Sequence, residues 1–322
     1  MDSIVDVPGI SVGEYSDYSA GTGCSVILFD SSVKGALDLR GGGTSTRQVD
    51  SLLQSGTYGR INAILLTGGS GYGLNASEGV VRYLEEKKTG LDVGYGFVVP
   101  SVPTAVIFDL GIGDGNVRPD AEMSYNACLG ASGKTVGQGC IGVGTGATIG
   151  KILGLKNATK GGVGSASFLF EKSNVYVGVY VVVNSWGDVL SFEDGRIIAG
   201  ARDVENGVGF MDTVKLIKQG YESRTPVSGN TTLAVVATNA LLSKSELFRV
   251  ATIAQTGISR VISPAHTVSD GDLVFSVSTG SERGNANSIG VVAAQLISLS
   301  ANRAVMYAKT LLGIPSAGDV GK

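Results

Sequence analysis

Residues 228–240 read SGNTTLAVVATNA and join an irregular polar stretch to an apolar run. Thr231, directly after Asn230, has two readings. As a β-branched residue it suits the entrance of a strand. As the first residue of a chain cut after Asn230, it would carry its own base. The free α-amine, with a pKa of about 7.7–8.0, sits within reach of the hydroxyl. The Thr231 hydroxyl could make that cut by attacking the preceding carbonyl and leaving an ester that hydrolyses. The chemistry then asks for an amide donor to the oxyanion, a nearby cation and carboxylates that orient the amine and hydroxyl.

Residues of those types are present. Asn184 closes the apolar run VYVGVYVVVN, where a strand end can aim a side chain into a cleft; a turn asparagine before SWGD is the plain alternative. Lys160, in TKGGVGSAS, precedes two glycines and a strand, and reads equally as a solvated lysine. Asp270 and Asp272 flank Gly271, so their carboxylates converge if the loop bends at the glycine. They also read as solvated turn formers, or as a weak site for a hard cation.

Other nucleophilic and metal chemistries find less support. His266 is the single histidine, no GxSxG elbow is present, and Cys24, Cys128 and Cys140 form no CxxC pair. One histidine and no HExxH argue against zinc, so no metal or cofactor is expected. GGSGYG (68–73) follows a strand and precedes a helix, but its spacing is not GxGxxG. ASGKT (131–135) has Cys128 where a P-loop needs its first glycine, and GTGATIGK (144–151) has Thr145 there. All three read better as glycines that let backbones approach closely.

The chain has 322 residues, of which 43% are hydrophobic and 16% charged, below the roughly 25% charge usual for soluble domains. So little charge implies a thick core, surface buried against sister subunits, or both. A net charge of −3 with no basic block argues against nucleic acid. The start, MDSIVDVPGI, lacks the basic and apolar regions of a signal peptide, and the longest unbroken apolar runs are of strand length. With scattered cysteines, these features lead us to expect a cytoplasmic protein without a membrane span.

Strands are predicted at 24–30, 62–67, 104–108, 163–170, 175–183, 231–238 and 273–279, with EKSN turning a hairpin between the fourth and fifth. Helices are predicted at 74–87, 243–259 and 286–311, the second opening on the capping-box spacing Ser243-Lys-Ser-Glu246. Adjacent strand pairs with helices at intervals favour an α+β layered fold. No linker divides the chain, so residues 1–322 are expected to form one domain. A break before Thr231 would give pieces 1–230 and 231–322, the smaller with too little core to stand alone.

Across GGSGYGLNASEGVVRYLEE, VPTAVIFDL with RPD following, VGVGTGATIGK, KGGVGSAS, GNTTLAVVATNA and AHTVSDGDLVFSVSTG, the sequence resembles the P1 family of peptidases. That family includes the D-aminopeptidases, the β-aminopeptidases and the nylon-oligomer hydrolases, and the likeness runs almost end to end. The resemblance implies a four-layer α-β-β-α sandwich of the aminopeptidase and ornithine acetyltransferase type, commonly assembled as tetramers. It makes Thr231 the nucleophile released after Asn230, Asn184 the oxyanion amide and Lys160 a positioning and charge-stabilising group. Asp270 and Asp272 become the carboxylate pair, and the substrate a small peptide or amide. The β-aminopeptidase branch uses a serine nucleophile and a Ser-Gly-Glu or Ser-Gly-Asp loop. Threonine with Asp-Gly-Asp is closer to the nylon-hydrolase branch. Two alternatives stay open: a non-catalytic binding or assembly protein that keeps the fold, and an acyltransferase of the ornithine acetyltransferase type.

Overall fold

Strand alternation in the main sheet sorts its apolar residues into three separate cores, and that sorting defines the layers. The computed structural model describes residues 2–56, 58–203, 209–221 and 229–320. Its main sheet is built from β1 (Ile10–Asp17), β2 (Thr22–Leu39), β3 (Thr46–Arg47), β4 (Arg60–Thr67), β5 (Thr104–Val106), β6 (Gly162–Phe170), β7 (Val175–Asn184), β8 (Thr231–Ala240) and β9 (Leu273–Glu282). Spatial order is β6-β7-β8-β9-β2-β4-β5-β3, with β1 also on β2. The helices are α1 (Ser77–Glu86), α2 (Ala121–Leu129), α3 (Thr213–Lys218), α4 (Lys244–Val261) and α5 (Ala286–Met306).

β2 holds the two halves together. Its first part pairs with β1 and β4, its last part with β9, and the register shifts between Leu28 and Val33. Such an irregularity bends a strand, which lets one long sheet fold over on itself. Odd positions of β8 (Leu233, Val235, Ala237) then meet Ile27, Phe29, Ile64 and Leu66 in a core between the two halves. Even positions (Ala234, Val236) pack with Val179, Val181 and Val183 under α4 and α5. On the opposite outer face, Val26, Leu28, Ala63 and Leu65 pack under Val80, Leu84 and Ala127 of α1 and α2. The result is helix, sheet, sheet, helix: an α-β-β-α sandwich.

Each predicted strand is present. The first runs on past Asp30 to Leu39, and Asn184 is the last residue of β7. α4 opens on the predicted box, with the Ser243 hydroxyl accepting from the Glu246 N–H. The helix predicted over 74–87 begins as a 3-10 coil over Ser70–Ala76, because Gly73 packs so tightly on Gly68 that a Cβ would sit 1.9 Å from its carbonyl oxygen. The helix predicted to reach 311 stops at Met306; Leu311 and Ile314 then bridge across Gly313. By length and composition α5 could cross a membrane, yet 67% of its most apolar stretch is buried inside the protein. The 222–228 part of the polar stretch before the Asn-Thr step lies outside the described residues.

Candidate active site

The Asn-Thr step lies where three strand ends meet. β8 begins at Thr231, whose register partner on β7 is Asn184, the last residue of that strand. On the other side of β8, Asn230 bridges to Asp270 just ahead of β9. Thr231 is only 5% exposed.

Gly271 is the hinge between the two aspartates. Its N–H donates to the carbonyl oxygen of Asn230 at 2.6 Å, and a Cβ built on it would stand 2.7 Å from the Thr231 hydroxyl. Glycine is required here because any side chain would displace that hydroxyl. One residue thus presents a donor to the carbonyl before Thr231 and leaves room for the group that would attack it. From the sequence, Gly271 stands out only as the bend between Asp270 and Asp272.

The loop holding Gly271 is clamped from behind by GGG (41–43). Arg40 and Gly41 N–H donate to the Asp272 carbonyl at 3.0 Å each, and Gly43 N–H to that of Asp270 at 2.8 Å. A Cβ on Gly41 would meet the Asp270 oxygen at 2.2 Å, which explains why this strand exit is glycine-rich. The Asp270 carboxylate accepts from the Thr267 N–H at 2.7 Å, and Asp272 Oδ1 from the Thr232 N–H at 2.6 Å. Burial first, then the neighbouring Asp272 charge, push the Asp270 carboxyl up to about 6. Asp270 can therefore exchange a proton near neutral pH.

The Asn184 amide has a fixed orientation. Its Oδ1 accepts from the Thr148 N–H at 2.9 Å and from Lys151 Nζ at 3.0 Å. Lys151 Nζ also donates to the Asn184 backbone carbonyl at 2.9 Å. With the oxygen so held, Nδ2 points the other way, to the carbonyls of Gly229 (3.1 Å) and Phe108 (3.2 Å). Gly229 has φ +136 and would drive a Cβ into the Phe108 ring, so the glycine of GNT is what lets the chain pass.

Two buried lysines lie near this corner and bond to different groups. Lys160 is fully buried, but its Nζ bonds to the carbonyls of Ala147 (2.5 Å) and Gly144 (3.5 Å), so it braces the turn that delivers Thr148. The lysine that reaches Asn184 is Lys151, the last residue of GTGATIGK, a stretch that the sequence reading treated as a failed phosphate loop. Burial depresses both amines, Lys151 to about 7 and Lys160 to about 8; the Asp270 carboxylate partly restores the first. Thr231, Asn230, Asn184, Asp270 and Asp272 thus come together at the strand ends, while Lys160 stands behind the turn.

The family model described as peptidase family S58 matches residues 2–313. This chain belongs to peptidase family S58. S58 relatives include an uncharacterized aminopeptidase of Mycobacterium leprae, 39% identical over 98% of this chain and 93% of its own. A 6-aminohexanoate-oligomer endohydrolase of Paenarthrobacter ureafaciens is 30% identical over 91% of this chain and 82% of its own. Among solved structures, the L-aminopeptidase D-Ala-esterase/amidase of Ochrobactrum anthropi, described as a variant of the Ntn hydrolase fold, superposes with a TM-score of 0.72 at 19% identity. That match covers 96% of this chain and 87% of the other. A Burkholderia β-aminopeptidase gives 0.69 at 20% identity over 94% and 86%. The S58 chain thus has the Ntn hydrolase fold and is a hydrolase of peptide or amide bonds.

Proposed function

We propose that this S58 chain is a self-processing hydrolase with Thr231 as its N-terminal nucleophile, acting on small peptides or amides. In the uncut chain the Thr231 hydroxyl attacks the Asn230 carbonyl carbon and passes its proton to the Asp270 carboxylate. The oxyanion forms on the oxygen already held by the Gly271 N–H. Collapse breaks the bond to the Thr231 nitrogen, which takes a proton and becomes an amine. Water hydrolyses the resulting ester, leaving a carboxylate on Asn230 and a free hydroxyl on Thr231. The observation that carries this reading is the 2.6 Å donation from Gly271 to the Asn230 carbonyl, beside a glycine whose missing side chain makes space for the hydroxyl.

Turnover reuses the same groups. The freed Thr231 amine serves as base, and departure of the 229–230 tail releases Asn184 Nδ2 from the Gly229 carbonyl to meet the substrate oxyanion. Lys151 keeps that amide turned the right way. The names of relatives, aminopeptidase and 6-aminohexanoate-oligomer endohydrolase, support short amide-linked substrates. Incubation with short peptide amides and aminohexanoate oligomers, quenched in acid, should leave an acyl mass on a fragment that begins at Thr231. Asn184→Ala should slow turnover by about 10²–10³-fold. Turnover without any acyl adduct, or an Asn184→Ala rate equal to wild type, would remove the respective assignment.

A further inference from the structure

The mechanism above leaves the single histidine unused, yet it is tied directly to the site. His266 lies on the loop between α4 and β9 with φ +59, a left-handed conformation that residues with a side chain seldom adopt. That conformation points its backbone N–H and its ring at one atom. The N–H donates to Asp272 Oδ2 at 2.9 Å, and Nδ1 stands 3.0 Å from the same oxygen. On the far side of the ring, Nε2 lies 3.0 Å from the Ser259 hydroxyl on α4. A carboxylate only accepts, so the pattern puts a ring proton on Nδ1, facing Asp272, with Nε2 facing the Ser259 hydroxyl.

Asp272 is thereby gripped at both ends. Oδ2 takes two donors from His266, which fixes the rotation of the carboxylate, while Oδ1 holds the Thr232 N–H at 2.6 Å. That N–H belongs to the peptide that follows Thr231. A rotated Asp272 would tilt this peptide and carry the Thr231 hydroxyl away from the Asn230 carbonyl and the Gly271 N–H. Misplacement of a reacting group by about 1 Å costs on the order of 10²-fold in rate. The serine-histidine-aspartate order matches the connectivity of a hydrolytic triad. Here, though, Ser259 is an exposed helix residue and the aspartate end of the chain terminates on β8, which suits support rather than attack.

We propose that His266 is a positioning residue: through Asp272 it sets the Thr232 peptide and so the approach of Thr231 to the Asn230 carbonyl. The proposal rests on the reading of Thr231 as the nucleophile, but its physical core can be read without any cleavage. His266→Asn keeps a side-chain N–H near the place of Nδ1 and tolerates the left-handed backbone; His266→Ala keeps neither.

The test follows appearance of the 231–322 fragment by mass in freshly made wild-type, His266→Asn and His266→Ala chains, with ¹⁵N spectra of each. With one histidine there is one imidazole to assign. The expected results are an Nδ1–H tautomer in wild type and cleavage slowed about 10–100-fold in His266→Ala. His266→Asn should return to within a few-fold of wild type and retain the Thr232 amide proton shift that His266→Ala loses. An Nε2–H tautomer, wild-type cleavage in His266→Ala, or equal slowing in both variants would overturn the proposal. Should wild type itself never cleave, the reading of Thr231 fails on its own. The tautomer and the Thr232 shift then decide whether His266 sets that peptide.

Discussion

At the scale of single residues, the chemistry gathers around a glycine. Gly271 places its N–H on the Asn230 carbonyl and gives up its side-chain volume to the Thr231 hydroxyl, while Asp270 beside it holds a proton affinity near neutrality. Because burial raises that carboxyl to about 6, it is protonated and unable to act as base below that pH. Self-cleavage should therefore accelerate as pH rises through about 6. A plot of cleavage rate against pH checks this. Asp270→Asn should be slow throughout and lack the acidic limb, and an unchanged limb in that variant would remove Asp270 as the base. The Asn-Thr step and the Asp-Gly-Asp loop, which the structure brings side by side, were legible in the sequence because residue type and adjacency carry their chemistry. The contact of Lys151 with Asn184 was not. Lys151 and Lys160 both stand beside glycines near strands, and only the fold-back of the 142–151 turn onto the end of β7 brings one of them to Asn184. The role of His266 was hidden for a related reason, since it depends on a left-handed backbone that no local residue pattern announces.

At the scale of elements, strand ends position the site and strand interiors hold those ends in place. Period-2 alternation made the long strands readable. β1 and α2 escaped notice because polar residues interrupt ISVGEYSD, while AEMSYNACL lacks a clear apolar stripe. β1 is tied to the sandwich by Glu14, whose carboxylate accepts from the Tyr180 hydroxyl of β7 at 2.8 Å; that hydroxyl also lies 2.8 Å from the Ser25 hydroxyl of β2. Burial raises the Glu14 carboxyl from 4.5 to about 7, against the lowering effect of its bonds to Tyr180 and Gly137. A carboxyl whose folded pKa is raised stabilises the fold below its unfolded pKa, and that contribution is lost as pH rises through the folded value. Glu14→Gln, neutral at every pH, should thus gain stability relative to wild type between about pH 5 and 8. The gain should be on the order of 1–2 kcal/mol. Urea midpoints of the two proteins across that range test it, and a gap that stays constant or reverses would show that Glu14 is not the titrating link.

At the scale of the whole molecule, the proposed cut passes through the middle of the sheet without dividing it. β8 and β9 belong to the small fragment, yet β8 pairs with β7 along its length and β9 pairs with β2, both in the large fragment. α4 and α5 cover the same face and share its core with β7. Two pieces joined by two strand interfaces and a common core should travel as one particle. The low charge fraction points further, to association of copies. An apolar hairpin face formed by Leu91, Val93, Phe97 and Val99, with Tyr95 97% exposed at its tip, offers surface for it. Native size-exclusion chromatography with light scattering should show both fragments in one peak, heavier than a single 32.8 kDa chain. Separation of the fragments would contradict the shared sheet, and a monomer mass would contradict the association. The central claim is that a threonine freed at its amine does the chemistry, and the intact mass of the purified protein meets it most directly. Wild type should resolve into two chains, the smaller beginning at Thr231, while Thr231→Ala stays a single chain of 322 residues without activity. An active wild-type protein whose bond between Asn230 and Thr231 is whole, or a Thr231→Ala protein cut at that bond, would contradict the account.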